Sequence, residues 1–181
     1  IHNLTSSSPS DTLLPSLSKV KKLTYGYDLA ADSLKSFDNL EELTIKSGSV
    51  PLQTIFGGKI PSSLKSVRIL DGSTKLTNYF FHGASSIEKI HIPSSVTEAE
   101  ENAFEGLKDN LSSITISGNI PVPKNFTTET IRIAPGSTAV CQFFLYNNTN
   151  VKKLIMPNSV TTIQVNALAN SALTDIKFSN N

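Results

Sequence analysis

The sequence predicts an α/β solenoid: a right-handed coil with a parallel β-sheet on its concave face and short helices, 3-10 turns and loops on its convex face. Three observations carry that expectation. A pattern of apolar, two variable, apolar, one variable, apolar recurs eight times, beginning at residues 20, 40, 64, 87, 111, 128, 151 and 173. The copies lie about 22 residues apart on average, the length of one strand-bearing coil in a stacked array. Hydrophobic content is 38% of 181 residues, low for a closed core. It suits a thin coil that buries one inner row and relies on its neighbours to cover it.

Each copy supplies one short strand. The first three are Val20 to Tyr25, Leu40 to Ile45 and Leu64 to Ile69, followed by Ile87 to Ile92 and Leu111 to Ile116. The last three are Thr128 to Ile133, Val151 to Met156 and Leu173 to Phe178. The last two apolar positions of each copy are two apart, the spacing that puts side chains on one face of a strand. This period is that of a leucine-rich repeat, giving a solenoid of about eight repeats over residues 20–181, with 1–19 as an N-terminal capping segment. Leu13, Leu14 and Leu17 precede the first motif and are placed to fold over the first coil.

The repeat from Ile87 to Asn110 is the clearest. Ile87, Ile90 and Ile92 point inward, and Pro93 ends the strand because it has no N–H to donate. Thr97-Glu98-Ala99-Glu100 reads as a capping box, predicting a short helix through Ala103 and Phe104 that stops near Gly106. Phe104 and Leu107 return inward to close the coil. The repeat beginning at Leu111 is short and carries Pro121 and Pro123, which predicts an irregular convex side there.

At these residues the chain resembles the BspA-like, or treponemal, class of leucine-rich repeat. Ile92-Pro-Ser-Ser-Val96 followed by Asn102-Ala-Phe-Glu-Gly106 is one good copy; Met156-Pro-Asn-Ser-Val160 followed by Asn166-Ala-Leu168 is another. Other repeats keep only the aromatic, at Phe80, Phe81, Phe126, Phe143 and Phe144. The Asn that common leucine-rich repeats place three residues after the strand motif is present only as Asn119, which favours the treponemal class. The resemblance implies a bacterial cell-surface or secreted protein acting in adhesion or protein binding. It implies a protein partner, of host extracellular or surface origin, or a glycan, and an extracellular or cell-surface location. The competing reading is a structural spacer within a larger surface protein.

Chemistry is not expected. There is no G-x-S-x-G, no H-E-x-x-H and no paired Cys or His at metal spacing, so neither catalytic residues, metal nor cofactor are anticipated. Phe56-Gly-Gly-Lys59 resembles a phosphate loop only superficially, since it lacks the upstream Gly and the Ser or Thr after Lys. Cys141 is the only cysteine and lies in an apolar run, as a small hydrophobe would. Sixteen basic against fifteen acidic residues give a net charge of +1, which supplies no pull towards nucleic acid or anionic lipid. No apolar run reaches the ~18–20 residues that span a membrane. The sequence starts at Ile1, which suggests a mature or trimmed product. The sequons at Asn3, Asn110, Asn125 and Asn147 are no more than this composition produces by chance.

Two surfaces stand out. The middle variable residue of each strand projects from the concave sheet: Thr24, Thr44, Arg68, His91, Thr115, Arg132, Ile155 and Lys177. With Lys89 two residues before His91, the centre of this row is mildly basic, and Arg68, Lys89, His91, Thr115 and Arg132 are the candidate partner-binding residues. His91 is expected to be a solvated imidazole. The other surface is the last strand, Ile176 to Phe178, whose outer edge nothing in the sequence covers. Either a longer array or packing against another molecule, including end-to-end self-association, is expected there.

Overall fold

The computed structural model describes residues 17–46, 48–109 and 111–179. Eight strands form one parallel sheet: β1 (Lys22–Tyr25), β2 (Glu42–Ile45), β3 (Ser66–Ile69), β5 (Lys89–His91), β7 (Ser113–Ile116), β8 (Thr130–Ile133), β10 (Lys153–Pro157) and β12 (Asp175–Ser179). Their spatial order is their order in the chain, so each crossover makes one coil. The register is constant: Leu23 lies beside Leu43, Leu43 beside Val67, Val67 beside Ile90 and Ile90 beside Ile114. Leu154 likewise lies between Ile131 and Ile176. The eight repeats read from the sequence are therefore the eight rungs of the sheet.

From Leu43 to Leu154 this column is buried, and so is the column two residues on, from Ile45 through Ile69, Ile92, Ile116 and Ile133 to Met156. The first motif position forms a third column, with Leu40, Leu64, Ile87, Leu111 and Val151. Thr128 interrupts it, and its buried hydroxyl donates to the Leu111 carbonyl at 2.8 Å, so the one polar group in the row is satisfied. Ile176 departs from expectation: it is 44% exposed, because β12 is the outermost strand described and no coil stacks on it.

Turns are tied from coil to coil by the serine of the Pro-x-Ser motifs. The Ser95 hydroxyl donates to the Ser73 carbonyl at 2.7 Å and accepts from the Gly72 N–H at 3.1 Å. The Ser159 hydroxyl likewise donates to the Ser137 carbonyl at 2.7 Å, and the Ser137 hydroxyl accepts from the Gly118 N–H at 3.1 Å. Proline fixes the turn and removes a donor that the sheet does not need; serine supplies both halves of a bridge to the preceding coil.

The convex side is less helical than the capping box predicts. One turn of helix, α1 (Leu52–Ile55), buries Leu52 and Ile55. Where a helix from Thr97 was expected, Glu98–Ala99 forms a short strand, β6, paired in parallel with β4 (Lys75–Leu76). A matching pair joins β9 (Ala139–Val140) to β11 (Thr162–Ile163). The backbone N–H groups of Thr97 and Glu98 donate to Thr74, and that of Glu100 to Leu76. These bonds to the previous coil replace the internal ladder that a helix would need. Glu100 accepts from the Asn78 N–H at 2.6 Å and pairs with Lys75 at 2.5 Å, instead of closing a box with Thr97. Single turns follow, with Ala103 bonded to Glu100 and Leu107 to Phe104.

Phe80, Phe126 and Phe144 are fully buried under these turns, and Phe104 stacks on Phe81 at 5.8 Å between ring centres. Residues 121–123 of the short repeat belong to no regular element, as Pro121 and Pro123 predicted, yet the Val122 N–H reaches the Phe144 carbonyl of the next coil. At the start, Leu17 packs half-buried against the core, while Leu13 and Leu14 of the expected cap lie outside the described residues. Among the described residues no helix is long and apolar enough to cross a membrane.

Candidate functional site

The exposed row of the large sheet is assembled by the same register that builds the core. Arg68 on β3 lies beside His91 on β5, His91 beside Thr115 on β7, and Thr115 beside Arg132 on β8. Lys89 stands two residues earlier on β5, between Ser66 and Ser113. The five candidate residues thus occupy four adjacent strands. With neighbouring strands ~4.8 Å apart, Arg68 and Arg132 start about 14 Å from each other. Arg68, Lys89 and Arg132 are exposed, whereas His91 and Thr115 are half-buried between them.

Charge along the row is unevenly neutralised. Near the ends the lysines are paired: Lys22 with Glu42 at 2.8 Å and Lys153 with Asp175 at 3.5 Å. In the centre, no ion pair to a carboxylate engages Arg68, Lys89 or Arg132 among the described residues. His91 does not add to this charge at neutral pH, contrary to the solvated imidazole expected. Burial first, and then the Arg68 guanidinium, hold its pKa down at about 4, against a smaller opposing pull from Asp71. An NMR titration should place the His91 midpoint near that value, and Arg68→Ser should move it upward. Because the unfolded chain binds this proton from about pH 6.5, His91 withdraws stability as pH falls from there towards its folded pKa. A midpoint near 6.5 would contradict the burial.

Elsewhere the surface offers little chemistry. Half-burial pushes the Cys141 thiol up to about 11, so it stays protonated at neutral pH and is a poor nucleophile. No group of three or more His, Cys, Asp or Glu residues is arranged to hold a metal ion among the described residues. A hollow beside the short repeat, bounded by Leu111, Ser112 and residues 127–130, is shallow and gathers only Glu129 as a charged group.

Sequence reasoning missed two exposed aromatics on the convex side. Tyr79 and Phe143 have φ of 57° and 62°, a left-handed conformation that bulky residues rarely adopt, and Asn166 holds the same place in a later coil. Each ring meets a partner three residues on, Tyr79 with His82 at 5.8 Å and Phe143 with Tyr146 at 5.1 Å. The recurring Asn of the Asn-Ala pair was the available signal, since Asn tolerates positive φ and its replacement by an aromatic at that place is costly.

A parallel sheet of identical rungs, cores stacked in columns and coils closed by short turns define a leucine-rich-repeat solenoid. Within that class the chain belongs to the BspA type leucine rich repeat family, whose model matches six copies across residues 54–127 and 124–181. No curated protein matches the sequence. The fold and family accord with a protein-binding or adhesion module.

Proposed function

We propose that the protein is a cell-surface or secreted adhesion module whose concave strand face binds an extended, acidic partner, a segment of protein or a glycan. The observation that supports this reading is the run of cations at the centre of the sheet with no carboxylate partner among the described residues, whereas Lys22 and Lys153 nearer its ends are ion-paired. Arg68, Lys89 and Arg132 attract the partner. Each guanidinium can take a carboxylate or sulfate through two parallel N–H donors. Thr115 supplies a hydroxyl between them, and neutral His91 offers a hydrogen bond without adding charge. The ~14 Å between the arginines matches about four residues of an extended chain at ~3.4 Å each. Strands fixed by buried columns present this row without reorganisation, which lowers the cost of ordering on binding.

The test uses the purified protein with two probes, heparin and a glutamate-rich peptide carrying acidic residues four apart. Changing Arg68, His91 and Arg132 together to Ser should weaken binding at least about tenfold, a loss of about 1.4 kcal/mol. Raising salt should weaken the wild type in the same direction. The circular dichroism of the variant should stay that of the wild type, because all three side chains project from the sheet. Affinity unchanged by the triple substitution would remove the concave face from the proposal and leave the spacer reading.

A further inference from the structure

The ladder of the large sheet opens at one junction, between β7 and β8. At every other junction two consecutive N–H groups share one carbonyl of the preceding coil: Lys65 and Ser66 donate to Glu41, Ser112 and Ser113 to Glu88, Lys152 and Lys153 to Glu129. By the same register the N–H groups of Glu129 and Thr130 belong on the Ser112 carbonyl, and neither bond forms. β7 and β8 meet only at Thr115–Arg132 and Ile116–Ile133, whereas β5 and β7 pair from Lys89–Ser113 onward. The short repeat accounts for the gap. Thr128 follows Leu111 by only 17 residues, and its hydroxyl takes the Leu111 carbonyl that lies next to Ser112. The opening is the hollow bounded by Leu111, Ser112 and residues 127–130, about 490 Å³ in volume. That lies within the ~300–1,000 Å³ of small-ligand sites.

The charge of the hollow is unanswered. Along the column that leads into the strands, Lys21 pairs with Glu41 at 2.8 Å and Lys65 with Glu88 at 3.2 Å. Glu129 stands in that column beside Lys152, yet the Lys152 ammonium turns to the Thr149 carbonyl at 3.4 Å. Glu129 makes no ion pair among the described residues. The missing bonds leave over two donors, the N–H groups of Glu129 and Thr130, and one acceptor, the Ser112 carbonyl. The Glu129 carboxylate is a second acceptor, and it repels an acid. An ammonium group would satisfy both acceptors but leave the two N–H groups unmet. Neighbouring hydroxyls of a sugar serve all four, because each hydroxyl both donates and accepts.

We propose that this hollow binds a neutral sugar unit, held by the Glu129 carboxylate and by the main-chain groups of Ser112, Glu129 and Thr130 that the sheet leaves unpaired. Its lining shares no residue with the cationic row from Arg68 to Arg132, so it stands independently of the concave site. With no aromatic ring in the lining, affinity for a single unit should lie in the millimolar range.

The experiment is an amide NMR titration of the full 181-residue chain. The probes are the methyl glycosides of glucose, galactose, mannose and N-acetylglucosamine, with N-acetyl-lysine amide and acetate as charged controls. At least one glycoside should shift the Glu129 and Thr130 amide resonances saturably and leave those of Lys65 and Ser66, which are bonded, in place. Glu129→Gln should weaken that binding at least about tenfold. Glu129 is exposed, so the variant should keep the circular dichroism of the wild type. Absence of a saturable shift at these two amides with every glycoside overturns the proposal. So does a lysine derivative that shifts them when no glycoside does, which would assign the hollow to a basic side chain. Glycoside binding unchanged in Glu129→Gln overturns it as well.

Discussion

Replacing Phe80 by Ala is expected to cost about 3–5 kcal/mol, the range for deleting a buried ring. Phe80 is fully buried, lies edge-on to Phe81 at 4.8 Å, and its carbonyl accepts the Leu52 N–H of the preceding coil. Ala103 holds the same place in the following coil and has no side chain long enough to fill the void. A domain of this size has only ~5–15 kcal/mol in total. The substitution therefore removes a large share of it, and a solenoid has no second core to share the load. Urea unfolding followed by far-UV circular dichroism should show the midpoint falling steeply with little change in slope. A loss under about 1 kcal/mol would mean that the convex turns collapse into the cavity.

The second large effect comes from adding a methyl group. At Gly118 a Cβ would lie 2.2 Å from the Ala139 carbonyl oxygen, a backbone atom. Yielding would pull against the bond from the Cys141 N–H to the Gly118 carbonyl, at 2.7 Å, and the one from the Gly118 N–H to the Ser137 hydroxyl. Gly118→Ala is thus expected to lose about 1–3 kcal/mol or more through overpacking. Gly26, where an added Cβ meets nothing within 4 Å, is the control. Gly26→Ala should be neutral or stabilising by up to about 1 kcal/mol, since it restricts the unfolded chain. Thermal melts of the pair separate steric cost from backbone entropy. Equal melting temperatures would show that the two adjacent coils shift freely to make room.

What could be read in advance follows from where each interaction is encoded. The strand columns were legible because inward and outward positions alternate within the motif itself, so Leu43, Val67 and Ile90 identify both the core and, by exclusion, the row holding Arg68 and His91. The convex side was not legible in the same way. Thr97 to Glu100 satisfies the local rule for a helix start, yet its backbone donors face Thr74 and Leu76 across the gap between coils. That choice depends on residues 23 and 24 positions upstream. The protonation of His91 was likewise hidden, because both its burial and the guanidinium beside it come from neighbouring strands. Cross-coil bonds, absent from any single repeat, decide what the local sequence leaves open.

The serine bridges also say how such a protein can change length. Ser95 and Ser159 each face backwards, holding the carbonyl of the coil before and making no demand on the coil after. A duplicated coil that brings its own serine therefore brings its own fastening, and the strand register carries through unshifted. A single inserted residue has no such provision, because it throws every inward side chain of its strand to the outside. Within the strands, length therefore changes by whole coils, so the concave face is extended by copy number, while the convex turns absorb smaller differences such as the short repeat from Leu111.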